Sequence, residues 1–554
     1  MPNRRYAALT VLVVSLLLSP VIAIIVLATG GVSGLSGAEA FGGESFAQTW
    51  AHLLSTILPQ QLFTTLSLMG GVGLFTGFFG VGAAWCITFY KIPGKRFMEW
   101  MMMLPLAIPT YISAYAYSEI TDPTGLYHSF WRLTYPNGLD IRSLAGAIFC
   151  MGVVLTPYVY ILARASFLKQ SVQLINAARA LGSGPFACFW RVGLPLCRPA
   201  LIVGITLALM ECLNDIGAVE YLGVQTLTIG VYDTWLARGQ LGTAVQIALV
   251  LLVLMMALVM IEKTYRRKQD DYGSADRQAG QAIFTLSTLQ NVPAFCLCLF
   301  PVIFGFALPV VVLLQLSFSH LPNIIDFLPA LINSLSLAAS AAILTLLMGL
   351  FLAVGLRFKP SPFASKVIQL ATTGYAIPGT VLGLGVLICL TFADSLLADL
   401  SIFVLPNLNI FLTGTVFGLL AAYCVRFMSI SYSSVEAGLA RIPQQMDAAA
   451  QSLGANKTKR FLRIYLPLLR PSLFGILILV FVDTMKELPA TLILRPFNFE
   501  TLATQIYGKA SLGLIEEAAV PALLIITTGI LPVILAAKLM IPGSHNPDPL
   551  KQNL

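Results

Sequence analysis

Long apolar segments recur along the 554-residue chain, and they constrain its fold more than any other feature. Each is apolar over about 18 residues or more, which is enough to cross a bilayer as a helix. Only 10% of the residues are charged, whereas soluble globular proteins have about 25%. Backbone groups in lipid must form their hydrogen bonds within the chain, and a β-barrel would show alternating segments of about ten residues. The sequence therefore predicts an all-α polytopic membrane protein in a lipid bilayer.

The apolar segments form two sets of six, which predicts about twelve transmembrane helices. The polar segment 262–281 separates the sets and is typical of a linker. We predict a first repeat at 1–265, a cytosolic linker at 266–290 and a second repeat at 291–554. The helices are expected near 7–28, 63–88, 101–118, 144–163, 199–219 and 243–262, and then near 293–316, 332–356, 366–392, 409–426, 471–492 and 517–540. The first segment is longer than the core of a signal peptide, so we expect it to stay uncleaved.

Basic residues concentrate in alternate loops, which determines the expected orientation. The segment 164–198 contains five lysines and arginines and no acid. The positive-inside rule places such loops, and both termini, in the cytosol of a bacterium, with the chain as a multi-pass protein of the inner membrane. These loops also account for the net charge of +8, so we predict no nucleic-acid partner.

The two sets of segments are copies of one another. Leu181-Gly182 matches Leu453-Gly454 at an offset of 272 positions, and Leu194-Pro195 matches Leu466-Pro467 at the same offset. Each copy has an even number of helices, so both copies keep the same orientation. The sequence thus predicts two parallel six-helix repeats related by an axis along the membrane normal.

Each copy carries the same basic loop, and this loop is the main candidate site. Gly182 and Gly454 are suited to end a short helix with a positive φ, and Pro195 and Pro467 are suited to begin the next one. Small alanines before each glycine allow another backbone to approach closely. The pattern predicts a short helix that docks into a groove on a partner protein. Its residues are Asn176, Ala177, Ala178, Gly182, Leu194 and Pro195 in the first copy, and Ala448, Ala449, Ala450, Gly454, Leu466 and Pro467 in the second.

This spacing resembles the motif of the permeases of bacterial ABC importers, which reads Glu-Ala-Ala, three residues, Gly, nine residues, Ile-x-Leu-Pro. Asn176 and Ala448 stand at the Glu position, and Asp447 precedes the second of them. The resemblance implies two cytosolic ATPase subunits, one per loop, and an extracytoplasmic binding protein. The chain itself lacks the phosphate-loop motif G-x-x-x-x-G-K-[ST]. We therefore expect a permease that is not an enzyme and binds no cofactor, with ATP used by the partner subunit.

Two pairs of carboxylates lie within predicted helices at matched positions, with Glu211 and Asp215 in the first copy and Asp483 and Glu487 in the second. Carboxylates are costly inside a membrane and usually face the bundle interior or a water-filled path. Two interpretations stay open. The carboxylates form acidic rings around a cation path, or they form a salt-bridged or helix-capping cluster. Neither interpretation gives a defined metal site.

Prolines 105, 109 and 378 are expected to kink the third and ninth predicted helices, either as gate elements or for tight packing of small residues.

The segments 211–223 and 485–507 are similar to those of fused permeases of ferric-iron importers. This resemblance implies Fe³⁺ as the cargo. Thiamine, phosphonate or polyamine permeases of the same class are alternatives. A secondary, ion-coupled transporter that uses the intramembrane carboxylates is the alternative from another class, while a membrane enzyme has no candidate nucleophile or metal cluster in the sequence.

Overall fold

The apolar segments form α-helices in the computed structural model of the chain. The structure describes residues 2–29, 46–122, 140–170, 172–271, 284, 288–319, 324–372, 374, 377–404 and 411–540. Over these residues there is no β-strand, and one isolated bridge pairs Tyr90 with Phe284. Much of the predicted linker at 266–290, namely 272–283 and 285–287, lies outside the described residues.

The helices of the first half, in chain order, are α1 (Pro2–Ala28), α2 (Phe46–Ser55), α3 (Ile57–Phe89), α4 (Lys95–Met101), α5 (Thr110–Thr121), α6 (Leu144–Lys169), α7 (Val172–Ala180), α8 (Pro185–Cys188), α9 (Leu194–Asn214), α10 (Gly217–Tyr221), α11 (Leu227–Tyr232) and α12 (Leu241–Asp271).

The helices of the second half are α13 (Thr288–Val302), α14 (Leu308–Ser319), α15 (Ile324–Phe358), α16 (Pro362–Ala371), α17 (Gly379–Val404), α18 (Val416–Ala440), α19 (Gln444–Ser452), α20 (Lys457–Arg460), α21 (Leu466–Lys486), α22 (Pro489–Leu494), α23 (Leu502–Ser511) and α24 (Ile515–Met540). A 3₁₀ turn covers Leu104–Ala107, and π-helical turns cover Phe189–Gly193, Asp233–Ala237, Ile303–Ala307 and Phe461–Tyr465.

Eleven helices in the described part of the chain are long and apolar enough to cross a membrane, which confirms the all-α polytopic fold. They correspond to eleven of the twelve predicted helices. The third, expected near 101–118, is divided instead. Pro105 lies in the 3₁₀ turn, Ile108 and Pro109 are extended, and α5 covers only 12 residues. Proline lacks an N–H and disfavours a helical conformation at the residue before it, so the helix breaks here.

Other predicted boundaries shift for local reasons. The ninth predicted helix, 366–392, is interrupted between α16 and α17, just before Gly379. The fifth and eleventh predicted helices run across breaks that the structure places at Asp215 and Glu487, where the backbone becomes extended. The tenth, predicted at 409–426, is α18 and continues to Ala440.

The chain divides into two compact units whose segments interleave. The first-repeat unit comprises residues 66–224, 257–321 and 513–554, and the second-repeat unit comprises 1–65, 225–256 and 322–512. The first helix of the chain therefore belongs to the second-repeat unit, and α13, α14 and α24 belong to the first-repeat unit. The boundaries 1–265, 266–290 and 291–554 describe the sequence repeat and stay a prediction.

In the first-repeat unit, α6 packs along α9 and α14 packs along α24. A Cβ at Gly204 on α9 would lie 2.9 Å from the Val159 Cα on α6, so the two backbones are in direct contact. Small residues commonly permit such close approach between membrane helices.

In the second-repeat unit, α15 packs against α18 and α21, and α1 packs along α17. A Cβ at Gly349 on α15 would lie 2.9 Å from the Ser431 Cβ on α18. At Gly385 on α17, a Cβ would lie 2.5 Å from the backbone oxygen of Pro20 on α1. The α1–α17 contact thus depends on the absence of a side chain at position 385.

We predict that Gly385→Ala lowers the apparent Tm of the purified protein. The added methyl group meets backbone, and such overpacking costs about 1–3 kcal/mol. Gly475→Ala on α21 is the matched control, because nothing lies within 4 Å of a Cβ there. Alanine favours a helix over glycine by about 1 kcal/mol, so the control should keep or raise the Tm. A Tm for Gly385→Ala equal to or above that of the control would contradict the close contact.

Candidate functional site: the repeated loop

The repeated loop has the same backbone course in both copies. In the first copy α7 is followed by Gly182, α8, a π-helical turn and α9, and in the second copy α19 is followed by Gly454, α20, a π-helical turn and α21. The φ angles of Gly182 and Gly454 are 83° and 76°, a conformation that side chains disfavour.

The two glycines end their short helices with the same pair of hydrogen bonds. Gly182 N donates to Arg179 O at 2.9 Å and Ser183 N donates to Ala178 O at 3.0 Å. In the second copy, Gly454 N donates to Gln451 O and Ala455 N donates to Ala450 O, both at 2.9 Å. These bonds form a Schellman motif, the usual reason for glycine at a helix end.

Most of the predicted loop residues are accessible. Ala450 is buried; Ala178, Leu194, Pro195 and Leu466 are half-buried; and the exposed ones are Asn176, Ala177, Gly182, Ala448, Ala449, Gly454 and Pro467.

Two leucines that are not among the predicted loop residues, Leu181 and Leu453, are also placed for contact. They are 87% and 88% exposed, and each immediately precedes the left-handed glycine. Their repetition at the same offset was the available signal. A large apolar side chain held in the open at the same place in both copies is typical of a protein contact.

An ionic cluster attaches the second loop to its repeat. The Asp447 carboxylate on α19 lies 3.0 Å from Arg357 Nη2 at the end of α15 and 3.7 Å from Arg460 Nη1 on α20. The Tyr465 hydroxyl donates to the same carboxylate. Arg357 also donates to Ile442 O at 2.8 Å. Asp447, which precedes the expected Glu position, therefore forms its ion pairs with arginines of the same chain.

An apolar cluster occupies the corresponding place beneath the first loop. Ile175, Cys188 and Gly193 stand 272 positions before Asp447, Arg460 and Tyr465. Ile175 and Cys188 are fully buried. Gly193 leaves room for the indole of Trp85, since a Cβ there would lie 2.3 Å from Trp85 Cζ3. The same attachment is thus ionic in one repeat and apolar in the other.

Phe284 of the predicted linker also supports the first loop. Its N–H donates to Phe89 O at 3.0 Å, and its carbonyl accepts from Lys91 N at 3.1 Å. The guanidinium of Arg179 on α7 lies over its ring, 5.1 Å from the centroid. The linker thus contributes a buried aromatic residue beside the short helix of the first loop.

Asp215 and Glu487 act as caps at the two helix breaks. Asp215 Oδ1 accepts from Ala218 N at 3.0 Å in α10. The Glu487 carboxylate accepts from Ala490 N and Thr491 N, both at 3.1 Å, at the start of α22. Glu211 and Asp483 lie one turn earlier and are half-buried. The geometry of Asp215 and Glu487 is that of helix caps, and the role of all four in a cation path stays a prediction.

Glu487 also faces a buried arginine that sequence reasoning missed. Arg426 Nη1 on α18 lies 3.9 Å from Glu487 Oε1. The Thr491 hydroxyl donates to Glu487 Oε2 at 2.6 Å and lies 2.6 Å from the Tyr423 hydroxyl. Gly379, at the start of α17, leaves space for the pair, since a Cβ there would lie 2.9 Å from Glu487 Oε1. An arginine at the end of a predicted membrane helix was the available signal.

The described residues contain no group of three or more His, Cys, Asp or Glu side chains placed to hold a metal ion.

The family of binding-protein-dependent transport system inner membrane components matches residues 76–268 and 345–544, which is one match in each repeat. The chain belongs to this family. Both matches lie in a single chain, so it is a fused ABC permease of binding-protein-dependent import and a multi-pass inner membrane protein. The resemblance seen in the loop motif is confirmed.

The fused permease is similar to the Fe(3+)-transport system permease protein FbpB 2 of Haemophilus influenzae, with 26% identity over 501 residues that make up 89% of this chain and 91% of the relative. Other relatives match shorter stretches. The sulfate transport system permease protein CysT of Salmonella typhimurium is 27% identical over 183 residues, 32% of this chain and 64% of the relative. The putative 2-aminoethylphosphonate transport system permease protein PhnV of the same organism is 30% identical over 205 residues, 36% of this chain and 71% of the relative.

We predict that Asp447→Asn loosens the second loop of the permease and leaves the first unchanged. The substitution removes the charge that Arg357 and Arg460 share, and unpaired buried charges are destabilising. Amide hydrogen exchange should therefore increase across 444–465. Exchange across 172–193 is the internal control, because the apolar cluster there is unaltered. Equal exchange of 444–465 in the variant and the unmodified protein would show that the ionic cluster does not hold the loop.

Proposed function

We propose that this fused permease imports ferric iron, which an extracytoplasmic binding protein delivers and two cytosolic ATPase subunits move by hydrolysing ATP. The observation that carries the choice of cargo is the extent of similarity. The ferric-iron relative aligns with 89% of the chain, whereas the sulfate and aminoethylphosphonate relatives align with 32% and 36%. Thiamine, phosphonate and polyamine are the alternative cargoes within the same class. Membership of a binding-protein-dependent family argues against the ion-coupled alternative.

The two loops are the proposed docking sites for the ATPase subunits, one subunit at each loop. In this arrangement both loops and both termini face the cytosol, and ATP is bound by the partner while this chain binds no cofactor. Each loop presents a short helix, a left-handed glycine and a highly exposed leucine in the same order. Asn176 and Ala448 carry no charge at the motif's Glu position, so docking relies on helix shape and apolar contact.

The exposed faces of the two loops nevertheless differ in chemistry. The first adds the aromatic side chains of Phe186 and Trp190, which are 74% and 54% exposed. In the second, Lys457 and Lys459 are exposed at the positions that Pro185 and Ala187 hold in the first. Contacts between exposed charges are screened by salt, while apolar contacts are not weakened in this way. Docking at the second loop is therefore expected to depend more on ionic strength.

We predict that Leu181→Ala and Leu453→Ala each weaken ATPase binding about tenfold or more, and that the double variant abolishes it. Burying a leucine contributes about 1.5–3 kcal/mol, and about 1.4 kcal/mol is a factor of ten in affinity. Binding of the purified ATPase to the permease in nanodiscs measures this effect. Ser452→Ala, a change at a neighbouring exposed residue, is the matched control and should bind normally.

The single variants also separate the two loops. Leu181→Ala leaves the second loop intact, and Leu453→Ala leaves the first intact. Raising the salt concentration should weaken the residual binding of Leu181→Ala more than that of Leu453→Ala. Unchanged affinity in the double variant would reject these loops as the docking sites.

For the cargo, Glu211 and Asp483 are the proposed path carboxylates. Each lies in the last turn of its helix, four residues before a capping carboxylate. Hard oxygen ligands suit a hard cation such as Fe³⁺. Substituting Glu211 and Asp483 leaves the caps at Asp215 and Glu487 in place. An effect on the transport rate can then be measured apart from an effect on folding.

We predict ATP-dependent uptake of radiolabelled Fe³⁺ into proteoliposomes that contain the permease, its ATPase and its binding protein. Sulfate and 2-aminoethylphosphonate should not be taken up. The variant Glu211→Gln with Asp483→Asn should lower the iron uptake rate several-fold at an unchanged Tm. Uptake of another cargo without iron would contradict the choice of substrate, and wild-type rates in the variant would remove these carboxylates from the path.

A further inference from the structure

The second-repeat unit contains a large apolar groove, and none of the loop residues or carboxylates described above is in its described lining. Its volume is about 1030 Å³, and α1 forms one wall while α16 and α17 form the other. Val14, Leu18, Ile22 and Val26 line the α1 side, and Val367 and Phe392 are among the residues opposite. The helices are apart along the groove, although the backbones of α1 and α17 are in contact at Gly385.

The groove is long enough to hold a hydrocarbon chain, and it lies beside a membrane helix. Its α1 wall runs from Thr10 to Leu27, which is about 25 Å at about 1.5 Å per residue. The hydrocarbon core of a bilayer is about 30 Å thick. In the most apolar stretch of α1, within Leu9–Ala28, only 33% of the residues are buried within the protein. The groove therefore lies parallel to a membrane helix and is open to the layer in which acyl chains are packed.

The α16 wall of the groove begins with a lysine and a serine. Lys359 follows the end of α15, and Ser361 caps α16 by accepting from Ala364 N at 3.3 Å, which leaves its own O–H able to donate. No acidic side chain is among the described residues that line the groove. A lysine two residues from a serine hydroxyl, with no carboxylate in the described lining, matches a phosphate group.

We propose that this groove binds an anionic phospholipid, with its phosphate at Lys359 and an acyl chain along α1. Zwitterionic lipids share the phosphate, so the net negative charge of the lipid is what Lys359 selects. The bound lipid fills the space between α1 and α16 and stabilises the position of the first helix in the second-repeat unit.

The test uses the full chain, purified in detergent and stripped of lipid. Native mass spectrometry counts bound lipid, and thermal unfolding measures the stabilisation by phosphatidylglycerol or phosphatidylcholine. We expect phosphatidylglycerol to bind at least several-fold more tightly and to raise the Tm further. Lys359→Gln should remove this preference. Lys366→Gln is the matched control, because Lys366 is an exposed lysine on the neighbouring helix α16 and does not line the groove.

A second pair of variants tests the apolar part of the groove. Ala23→Phe places a ring in the groove and should reduce binding of both lipids, whereas Ile25→Phe, which faces away from the groove, should not. If Ala23→Phe does not fold, Ala364→Phe fills the groove from the opposite wall. Equal affinity for the two lipids in the unmodified protein, or normal binding in the filled variants, would overturn the proposal. Inorganic phosphate that reproduces the full Tm increase would show an anion site without a lipid chain.

Discussion

Backbone groups inside a bilayer have no water to bond, and this constraint determines where the permease chain can stop being helical. The helices α9 and α21 end at Asp215 and Glu487, where the backbone becomes extended. Each side chain accepts hydrogen bonds from the first free amides of the next short helix. A carboxylate at such a position provides the bonds that the interrupted helix lacks. In the second repeat the cap is joined to Arg426, so one buried charge balances the other.

The same two helices connect these breaks to the repeated loops. Each contains 21 residues, or about 30 Å at about 1.5 Å per residue. Each begins at a π-helical turn next to a short loop helix and ends at a capped break. In the proposed transporter, an ATPase that displaces the loop therefore moves one end of a continuous helix whose other end is the capped break. The apolar cluster at Trp85 holds the first loop against its repeat, and the ionic cluster at Asp447 holds the second loop against its own.

The sequence was sufficient for features that depend on local pattern. Apolar length identified eleven membrane helices, and repeated spacing identified both loops with their left-handed glycines. It was insufficient where contacts between distant residues decide the outcome. Asp447 pairs with Arg357, 90 positions away, and nothing in the loop itself indicates that partner. Hydropathy also treats Pro105 and Pro109 as part of one apolar segment, although their geometry breaks the helix. The interleaving of the two units was equally hidden, because an apolar helix face does not specify which neighbour will cover it.

In the proposed complex, one chain supplies two docking sites where separate subunits would supply one each. The mass of the intact complex, purified with its ATPase and measured by native mass spectrometry, reports this stoichiometry. We expect one permease chain with two ATPase subunits. A complex of one permease chain with a single ATPase, or of two permease chains with two ATPases, would contradict it.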